Sequence, residues 1–242
     1  MKQLIKYTIL VCSCCLLLLS SCSKDDDIEV TGNSKLSITN AATEAPALDA
    51  YIDNEKITTA SLAFGATSVV SGQPYFTINA GLRFLRVSPD GVNNFIRGNV
   101  PFSPDSSYSV FVYDSVNAAG TLKALMLRDV LTAPASGKAH YRYLQLSPDK
   151  DTVNIQLVNS NDTIRVGNKA YIGANANASS QDFIAVNPGT YTLNVRKAGT
   201  DPIIYSTTVS LGDGKIYTIY SRGKKANGAA ATGFNISSIL HN

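Results

Sequence analysis

Alternating apolar and polar positions dominate the chain from Ser34 onwards. The alternation is clearest in three segments where every second residue is apolar, at 48–52, 153–157 and 191–195. A period of two residues places one set of side chains in a core and the other in water, as in a half-buried β-strand. Turn sequences such as Asp213-Gly214 separate these segments. Since we find no long amphipathic helix, the pattern predicts an all-β protein built from sandwiches or barrels.

The strand pattern repeats with a period of just over 100 residues. The segment 48–52 aligns with 153–157, an offset of 105 residues. The sequence Ile78-Asn79-Ala80-Gly81 aligns with Val186-Asn187-Pro188-Gly189, an offset of 108 residues. A period of this length is too long for a solenoid repeat, so it predicts two tandem domains.

We expect two tandem immunoglobulin-like antiparallel β-sandwich domains, over residues 34–133 and 138–242. The segment Ala133-Pro134-Ala135-Ser136-Gly137 between them is typical of a linker. Tyr108 and Tyr217 each follow a turn sequence near the end of a copy. They resemble the tyrosine corner of Greek-key sandwiches, in which the hydroxyl bonds to the backbone upstream. We therefore expect both tyrosines in corners and cores, not in a binding site.

The start of the chain has the features of a lipoprotein signal peptide. Two lysines precede a largely apolar run at residues 7–19, and the run ends in Leu19-Ser20-Ser21-Cys22. The run is shorter than the roughly 20 residues that a membrane-spanning helix needs, but it fits the apolar region of a signal. The residues before the cysteine resemble the bacterial lipobox. This predicts a signal peptide over residues 1–21 and acylation of the Cys22 thiol, with an ordinary signal peptide as the alternative.

An acidic segment follows the cysteine directly, and we expect a flexible tether over residues 22–33. Lys24, Asp25 and Asp26 resemble the surface-export tag of lipoproteins in Bacteroidota-type bacteria. The membrane is therefore a predicted partner through the N-terminal lipid, because two or more acyl chains anchor a protein durably. The predicted location is the outer membrane, with the protein exposed at the cell surface. A solvated tether without an export function is the alternative interpretation.

Composition narrows the classes of function. The 242 residues carry a net charge of +3, and loss of two lysines with the signal leaves +1, which is too small for nucleic-acid binding by charge alone. The chain has only two histidines, His140 and His241, so we expect no metal site and no cofactor. We expect His241 to lie in a frayed C-terminal tail, which leaves His140 for any serine hydrolysis. Because no catalytic motif is found, we expect no enzyme activity.

Aromatic residues are the candidate binding residues. Phe111, Tyr113 and Tyr220 fall on the outward strand faces, and Tyr51 is an outward residue that could join them. Aromatic rings offer large contact surfaces to a ligand, although the absence of Trp weakens the carbohydrate case. The alternative is that these rings cover a seam between the domains or a sheet face.

Several strand and turn sequences resemble a family of secreted bacterial repeats, the domain of unknown function 4397. They are Leu62-Ala63-Phe64-Gly65 and Asn79-Ala80-Gly81 in the first copy and Ser147-Pro148-Asp149 in the second. The resemblance extends over about 35–223, with departures such as Ala42-Thr43-Glu44 in place of Ser-Pro-Asp. It implies a surface or secreted β-sandwich and supplies no catalytic residues.

These observations predict a lipid-anchored cell-surface protein that acts as a non-catalytic binding, adhesion or accessory module. Its ligand would be a glycan or a protein, not a nucleic acid. The alternatives are a structural envelope spacer without a ligand and, more remotely, a glycan-directed hydrolase. A binder predicts a contiguous exposed aromatic patch, and a spacer predicts polar faces with an apolar seam between the domains. A hydrolase predicts a deep pocket with two carboxylates, or with His140 beside a polar partner.

Overall fold

The computed structural model describes residues 30–149, 152–173, 182–228 and 230–242. Within these ranges the regular structure is β, apart from one short 3-10 helix at Lys225–Asn227. The predictions for Cys22 and for Lys24, Asp25 and Asp26 lie outside the described residues. In the part of the chain that is described, we find no helix long and apolar enough to cross a membrane.

The first sandwich contains eight described strands in two four-stranded sheets, with the orders β4-β1-β7-β8 and β3-β2-β5-β6. Its strands are β1 (Asn33–Ala42), β2 (Asp49–Ile52), β3 (Glu55–Lys56), β4 (Phe76–Asn79), β5 (Gly81–Ser88), β6 (Ile96–Phe102), β7 (Ser107–Asp114) and β8 (Lys123–Asp129). The apolar residues that alternate along these strands meet between the two sheets. Leu36, Leu85 and Val110 are among the buried residues of this core.

The second sandwich repeats this arrangement strand for strand within the described residues, with the sheet orders β12-β9-β15-β16 and β11-β10-β13-β14. Its strands are β9 (Ala139–Gln145), β10 (Val153–Val158), β11 (Thr163–Lys169), β12 (Ile184–Val186), β13 (Gly189–Lys197), β14 (Ile203–Leu211), β15 (Ile216–Arg222) and β16 (Asn235–Leu240). Ile155, Leu193 and Ile219 lie in its separate core. The predicted all-β fold with two tandem sandwiches is confirmed.

One detail of the sheets differs from the antiparallel arrangement that was expected. β1 pairs with β7 in parallel, and β9 pairs with β15 in parallel, while the other described strand pairs are antiparallel. Because the same exception occurs at equivalent positions, it belongs to the repeated topology and is not an irregularity of one copy.

Both tyrosine corners are present. The Ser103 N–H donates to the Tyr108 hydroxyl at 3.0 Å, and the Gly212 N–H donates to the Tyr217 hydroxyl at 3.0 Å. In each case the donor lies five residues upstream. The prediction of corner roles for both tyrosines is therefore confirmed, and the two copies form this feature with the same spacing.

The two sandwiches pack through one sheet each, and we call the apolar layer between them the seam. β1, β7 and β8 of the first sandwich face β9, β15 and β16 of the second. The seam consists of Ala41, Phe111, Tyr113, Leu125, Leu127, Leu144, Leu146, Tyr220 and Ile239. The Phe111 and Tyr220 rings contact each other edge to face, with centroids 5.5 Å apart. Since each ring lies three residues after its corner tyrosine, equivalent surfaces of the two copies meet, and the described sheets form four stacked layers.

The seam corrects the prediction of an exposed aromatic patch. Phe111, Tyr113 and Tyr220 are at most 1% exposed, whereas Tyr51 lies on the outer sheet β3-β2-β5-β6 and cannot share a surface with them. Alternation shows that a side chain points away from its own core, but not whether a second domain covers it. The alternative prediction, a seam between the domains, describes these three rings correctly.

Two equivalent loops extend the contact at the edges of the seam. In the first loop, 62–65, Phe64 lies under the Arg222 guanidinium at 4.6 Å from the ring centroid. In the second loop, 170–173, Tyr171 packs against Tyr113 with ring centroids 6.1 Å apart. Tyr113 and Arg222 occupy equivalent positions near the ends of β7 and β15, so each copy's loop contacts the same position of the other copy. The Leu-Ala-Phe-Gly sequence therefore contributes to packing between the sandwiches.

We predict that Phe111→Ala lowers the free energy of unfolding by about 3–5 kcal/mol, because it removes a buried ring and leaves a cavity in the seam. Chemical denaturation followed by circular dichroism measures this change. Val92→Ala is the control, since Val92 is 78% exposed and its truncation should cost less than about 0.5 kcal/mol. Equal, small effects of the two substitutions would show that the seam is not formed in solution.

Candidate functional site

The outer sheet of the first sandwich carries Tyr51, the remaining aromatic candidate. Tyr51 is half-buried, and the Arg86 guanidinium lies 4.7 Å from its ring centroid. Arg86 Nη1 in turn donates to the Gly91 carbonyl at 3.1 Å and to Asn94 Oδ1 at 3.0 Å. The loop after β5 thus fixes the guanidinium over the ring, so one ring face is already occupied. A binding role for Tyr51 stays a prediction.

The outer sheet of the second sandwich, β11-β10-β13-β14, carries an open groove of about 420 Å³, which we call the sheet groove. Its polar lining consists of Asn154, Gln156, Arg165, Arg196, Thr200 and Asp201. Sequence reasoning did not single out these residues, because exposed polar residues on a strand are ordinary. A signal was nevertheless present in Val166-Gly167-Asn168, where a glycine interrupts the alternation of a strand.

A β-bulge shapes one wall of the sheet groove. The register between β10 and β11 shifts between Val153 and Ile155. Asn168 adopts a left-handed backbone conformation with φ of 50°, which asparagine tolerates better than most residues. Its N–H donates to Asn154 Oδ1 at 2.8 Å. The bulge increases the local twist, and neighbouring Gly167 has no side chain to fill the resulting space.

Two arginines line the sheet groove in different states. Arg196 is held in place, because Nη2 donates to Gln156 Oε1 at 3.4 Å and Nη1 donates to the Asp201 carbonyl at 3.1 Å. Arg165 is exposed and lies opposite Gln156 in the strand pairing. Its guanidinium makes no hydrogen bond or ion pair with any residue that the structure describes. The sheet groove is therefore lined by the hydrogen-bonded guanidinium of Arg196 and by the guanidinium of Arg165, which is available to a ligand.

The equivalent surface of the first sandwich is built differently. Tyr51 pairs with Arg86 across β2 and β5, as Gln156 pairs with Asn194 across β10 and β13. The aromatic ring, the guanidinium above it and the loop after β5 occupy the place that is open in the second sandwich. In addition, β3 spans two residues where β11 spans seven. The groove thus arises where the two copies differ.

A buried ion pair crosses between the sandwiches beside the seam. Arg142 Nη2 lies 2.7 Å from Asp129 Oδ1, with side chains 2% and 0% exposed. The Ser109 hydroxyl and the Tyr75 hydroxyl donate to Asp129 Oδ2 at 2.6 and 2.8 Å. A buried pair is tolerated when such additional hydrogen bonds satisfy its remaining atoms.

The ion pair belongs to a closed hydrogen-bond ring. Arg142 Nε donates to Thr218 Oγ1 at 2.7 Å, and Thr218 Oγ1 lies 2.7 Å from His241 Nε2. His241 Nδ1 lies 2.6 Å from the Tyr75 hydroxyl oxygen, whose proton is donated to Asp129. We therefore assign the His241 proton to Nδ1, with Nε2 accepting from Thr218. With this assignment each donor of the ring has one acceptor. The arrangement requires a neutral imidazole, because a protonated Nε2 could not accept from Thr218.

The hydrogen-bond ring shows that the prediction of a frayed C-terminal tail at His241 is wrong. His241 is 3% exposed. β16 pairs with β15 as far as Leu240, and the backbone N–H of His241 continues this pairing by donating to the Ile216 carbonyl at 2.9 Å. The pKa of His241 is lowered to about 4, mainly by burial; the Asp129 charge opposes this shift, and the Arg142 charge adds a smaller lowering effect. Asp129 and His241 occupy equivalent ends of β8 and β16, so the sequence equivalence of the copies was the signal that could have brought them together.

A second cleft, of about 210 Å³, lies beside the buried Arg142, and His140, Asp182 and Phe183 also line it. The His140 side chain makes no hydrogen bond to a described residue, so a base with an orienting partner is not formed there. Asp182 is the only carboxylate among the described lining residues. Across the described ranges, no group of three or more His, Cys, Asp or Glu could hold a metal ion.

The hydrogen-bond ring predicts a pH-dependent stability. His241 stays neutral in the folded protein down to about pH 4, but its pKa in the unfolded chain is about 6.5. Between these values the unfolded chain binds more protons, so the free energy of unfolding falls as the pH is lowered. We expect a loss of about 2 kcal/mol from pH 7 to pH 5 through this group.

Urea denaturation at pH 5, 6 and 7 measures this effect. His241→Gln should be less stable than the wild type at pH 7 but should lose this part of the pH dependence. His140→Gln is the matched control and should keep it, since His140 is only half-buried. If the wild type and His241→Gln respond equally to pH, the neutral ring is not the protonation state of the folded protein.

Comparisons with known proteins identify a family and a distant similarity to a solved structure. Among solved structures, the chain is similar to the crystal structure of CBMbc, of family CBM26, from Eubacterium rectale Amy13K in complex with maltoheptaose. The identity is 13%, the TM-score is 0.27, and the likeness covers 84% of this chain and 96% of that one. A TM-score this low carries no argument about fold or function. No curated protein matches the sequence.

The family model described as Domain of unknown function (DUF4397) matches residues 34–156. This range is just over half of the chain and contains the whole first sandwich, β9 and the start of β10. The resemblance noted in the strand and turn sequences is therefore confirmed, and the chain belongs to the DUF4397 family of domains of unknown function.

Proposed function

We propose that this chain is a lipid-anchored protein of the bacterial surface that acts as a non-catalytic binding module. The observation that carries the proposal is the sheet groove, an open and polar concavity on a sheet face that the seam leaves free. Its volume of about 420 Å³ falls within the range of about 300–1,000 Å³ that is typical of small-molecule sites. We propose a glycan as the ligand, bound by the polar side chains of the outer sheet.

The four-layer arrangement supports this use of the outer sheet. The two inner sheets bury their outward faces against each other, so they offer no surface to a ligand. The two outer sheets remain at opposite ends of the stack. In the first sandwich the central position is closed by Tyr51 and Arg86, whereas in the second it is open. The second sandwich is therefore the better candidate for the binding domain, and the first for its support.

The proposed anchor is the acyl chains on Cys22, with Lys24, Asp25 and Asp26 as the export tag. β1 begins at Asn33, so the segment 22–32 links the proposed lipid to the first sandwich. At about 3.5 Å for each extended residue, this segment spans at most about 40 Å. Such a length is enough to hold both sandwiches clear of the lipid headgroups, which supports presentation at the surface.

We also propose that the second sandwich is a second copy of the family domain, because its strand order and its tyrosine corner repeat those of the first. The second candidate function is an envelope spacer without a ligand. The seam is the observation that favours it, because the apolar aromatic surface that a binder was expected to expose is buried between the domains instead.

A glycan panel tests the binding function. We expect residues 23–242, which contain the compact unit Thr31–Asn242, to bind at least one saccharide in the panel. Gly167→Leu should abolish that binding, because a leucine at this position fills the sheet groove. Gly98→Leu, at an open position on the edge strand β6 of the other outer sheet, is the matched control. Binding of no saccharide at all would favour the spacer.

Labelling with an alkyne palmitate tests the anchor separately. We expect the wild-type chain to incorporate the label in its native host and Cys22→Ser to lose it completely. Proteinase K should digest the protein on intact cells if the export tag functions. Full resistance of the labelled protein to the protease would place it on the inner leaflet and contradict surface display.

A further inference from the structure

The centre of the sheet groove, between Arg165, Asn154 and Gln156, offers mainly hydrogen-bond donors to a ligand. We infer that it takes a saccharide that carries a carboxylate, with the Arg165 guanidinium as the group that binds the carboxylate. This inference rests on the proposed function and deepens it, because it assigns the chemical class of the ligand and the residue that selects it.

The donor character follows from which amide atoms the protein already uses. Asn154 Oδ1 accepts the N–H of Asn168, and Gln156 Oε1 accepts Nη2 of Arg196. Both carbonyl oxygens therefore have protein partners, and the side-chain NH2 groups of Asn154 and Gln156 remain for a ligand. With the N–H groups of Arg165, the centre of the groove presents donors, and a ligand rich in acceptor oxygens satisfies them.

Charge selects a carboxylate among such ligands. Arg165 is exposed and has no counter-ion among the described residues, so its guanidinium is available to a ligand. A guanidinium matches a carboxylate with two parallel N–H···O bonds, which are stronger and more directional than bonds to a neutral hydroxyl. Arg196 adds a second positive charge, and because Gln156 and Asp201 hold it in place, its orientation costs no further ordering when a ligand binds.

Asp201 gives the site a direction. It is the only carboxylate among the described lining residues, and it follows β13, whereas Arg165 lies on β11 on the other side of β10. Arg165 therefore attracts a ligand carboxylate to the β11 side, and Asp201 repels it from the turn after β13. Saccharide hydroxyls can donate to Asp201, so an acidic sugar binds with its carboxylate towards Arg165 and its hydroxyls towards Asp201.

Isothermal titration calorimetry of residues 23–242 with trigalacturonate, maltotriose and sulfated maltotriose tests the inference. We expect trigalacturonate to bind at least tenfold more tightly than either of the others. Arg165→Ala should weaken its binding by about 10- to 100-fold, since hydrogen bonds to a charged partner are lost. Arg165→Lys keeps the positive charge but cannot form two parallel hydrogen bonds with a carboxylate, so it should retain an intermediate affinity.

Arg97→Ala is the matched control, because it removes an exposed arginine from β6 of the other outer sheet. Its affinity for trigalacturonate should equal that of the wild type, and circular dichroism should show that all variants are folded. Equal losses in Arg97→Ala and Arg165→Ala would overturn the inference, because only net charge would then matter. Tighter binding of maltotriose or its sulfated form would also overturn it but leave the proposed binding function standing. Binding of none of these saccharides would overturn it as well, and the broader glycan panel then decides the proposed function.

Discussion

The apolar contact between the two inner sheets determines which surfaces this protein can use. Phe111 and Tyr220 meet at the centre of this contact, and both are buried although each points away from the core of its own sandwich. Removing such rings from water stabilises a structure by about 25 cal/mol for each Å² of apolar surface. The faces of the two inner sheets that meet in the seam are thereby removed from solvent. Only the two outer sheets keep an exposed face for ligand binding.

The polar groups around the seam make the contact specific. Asp129 and Arg142 are buried and charged, so either one without the other would carry an uncompensated charge in the interior. The hydrogen-bond ring through Thr218, His241 and Tyr75 satisfies both at once. Since the ring takes residues from both sandwiches, it closes only when the sandwiches adopt this relative position. The loops at 62–65 and 170–173 add equivalent contacts at the edges.

Local patterns in the sequence predict the strands and the tyrosine corners, because each depends on neighbouring residues. The repeat is predictable because its two copies align along the sequence. The burial of Phe111, Tyr113 and Tyr220 depends on a second domain, which no strand pattern contains. The hydrogen-bond ring also joins distant segments. The residues next to His241 in the sequence do not indicate a contact with Tyr75, and only the equivalence of the two copies relates His241 to Asp129. Arg165 and Gln156 follow the ordinary alternation of a strand, so the sequence does not distinguish them from other exposed polar residues. Their place in a groove follows only from the bulge near Asn168, which the structure shows.

Hydroxyl-radical footprinting of the folded protein, read by mass spectrometry, tests the central claim most directly, namely that the inner sheets cover each other and leave the outer sheets free. The account predicts that Phe111 and Tyr220 are oxidised as slowly as the core residue Tyr191, while Tyr205 on the edge strand β14 is oxidised much faster. Oxidation of Phe111 and Tyr220 at the rate of Tyr205 would contradict it, because the inner sheets would then be open to solvent.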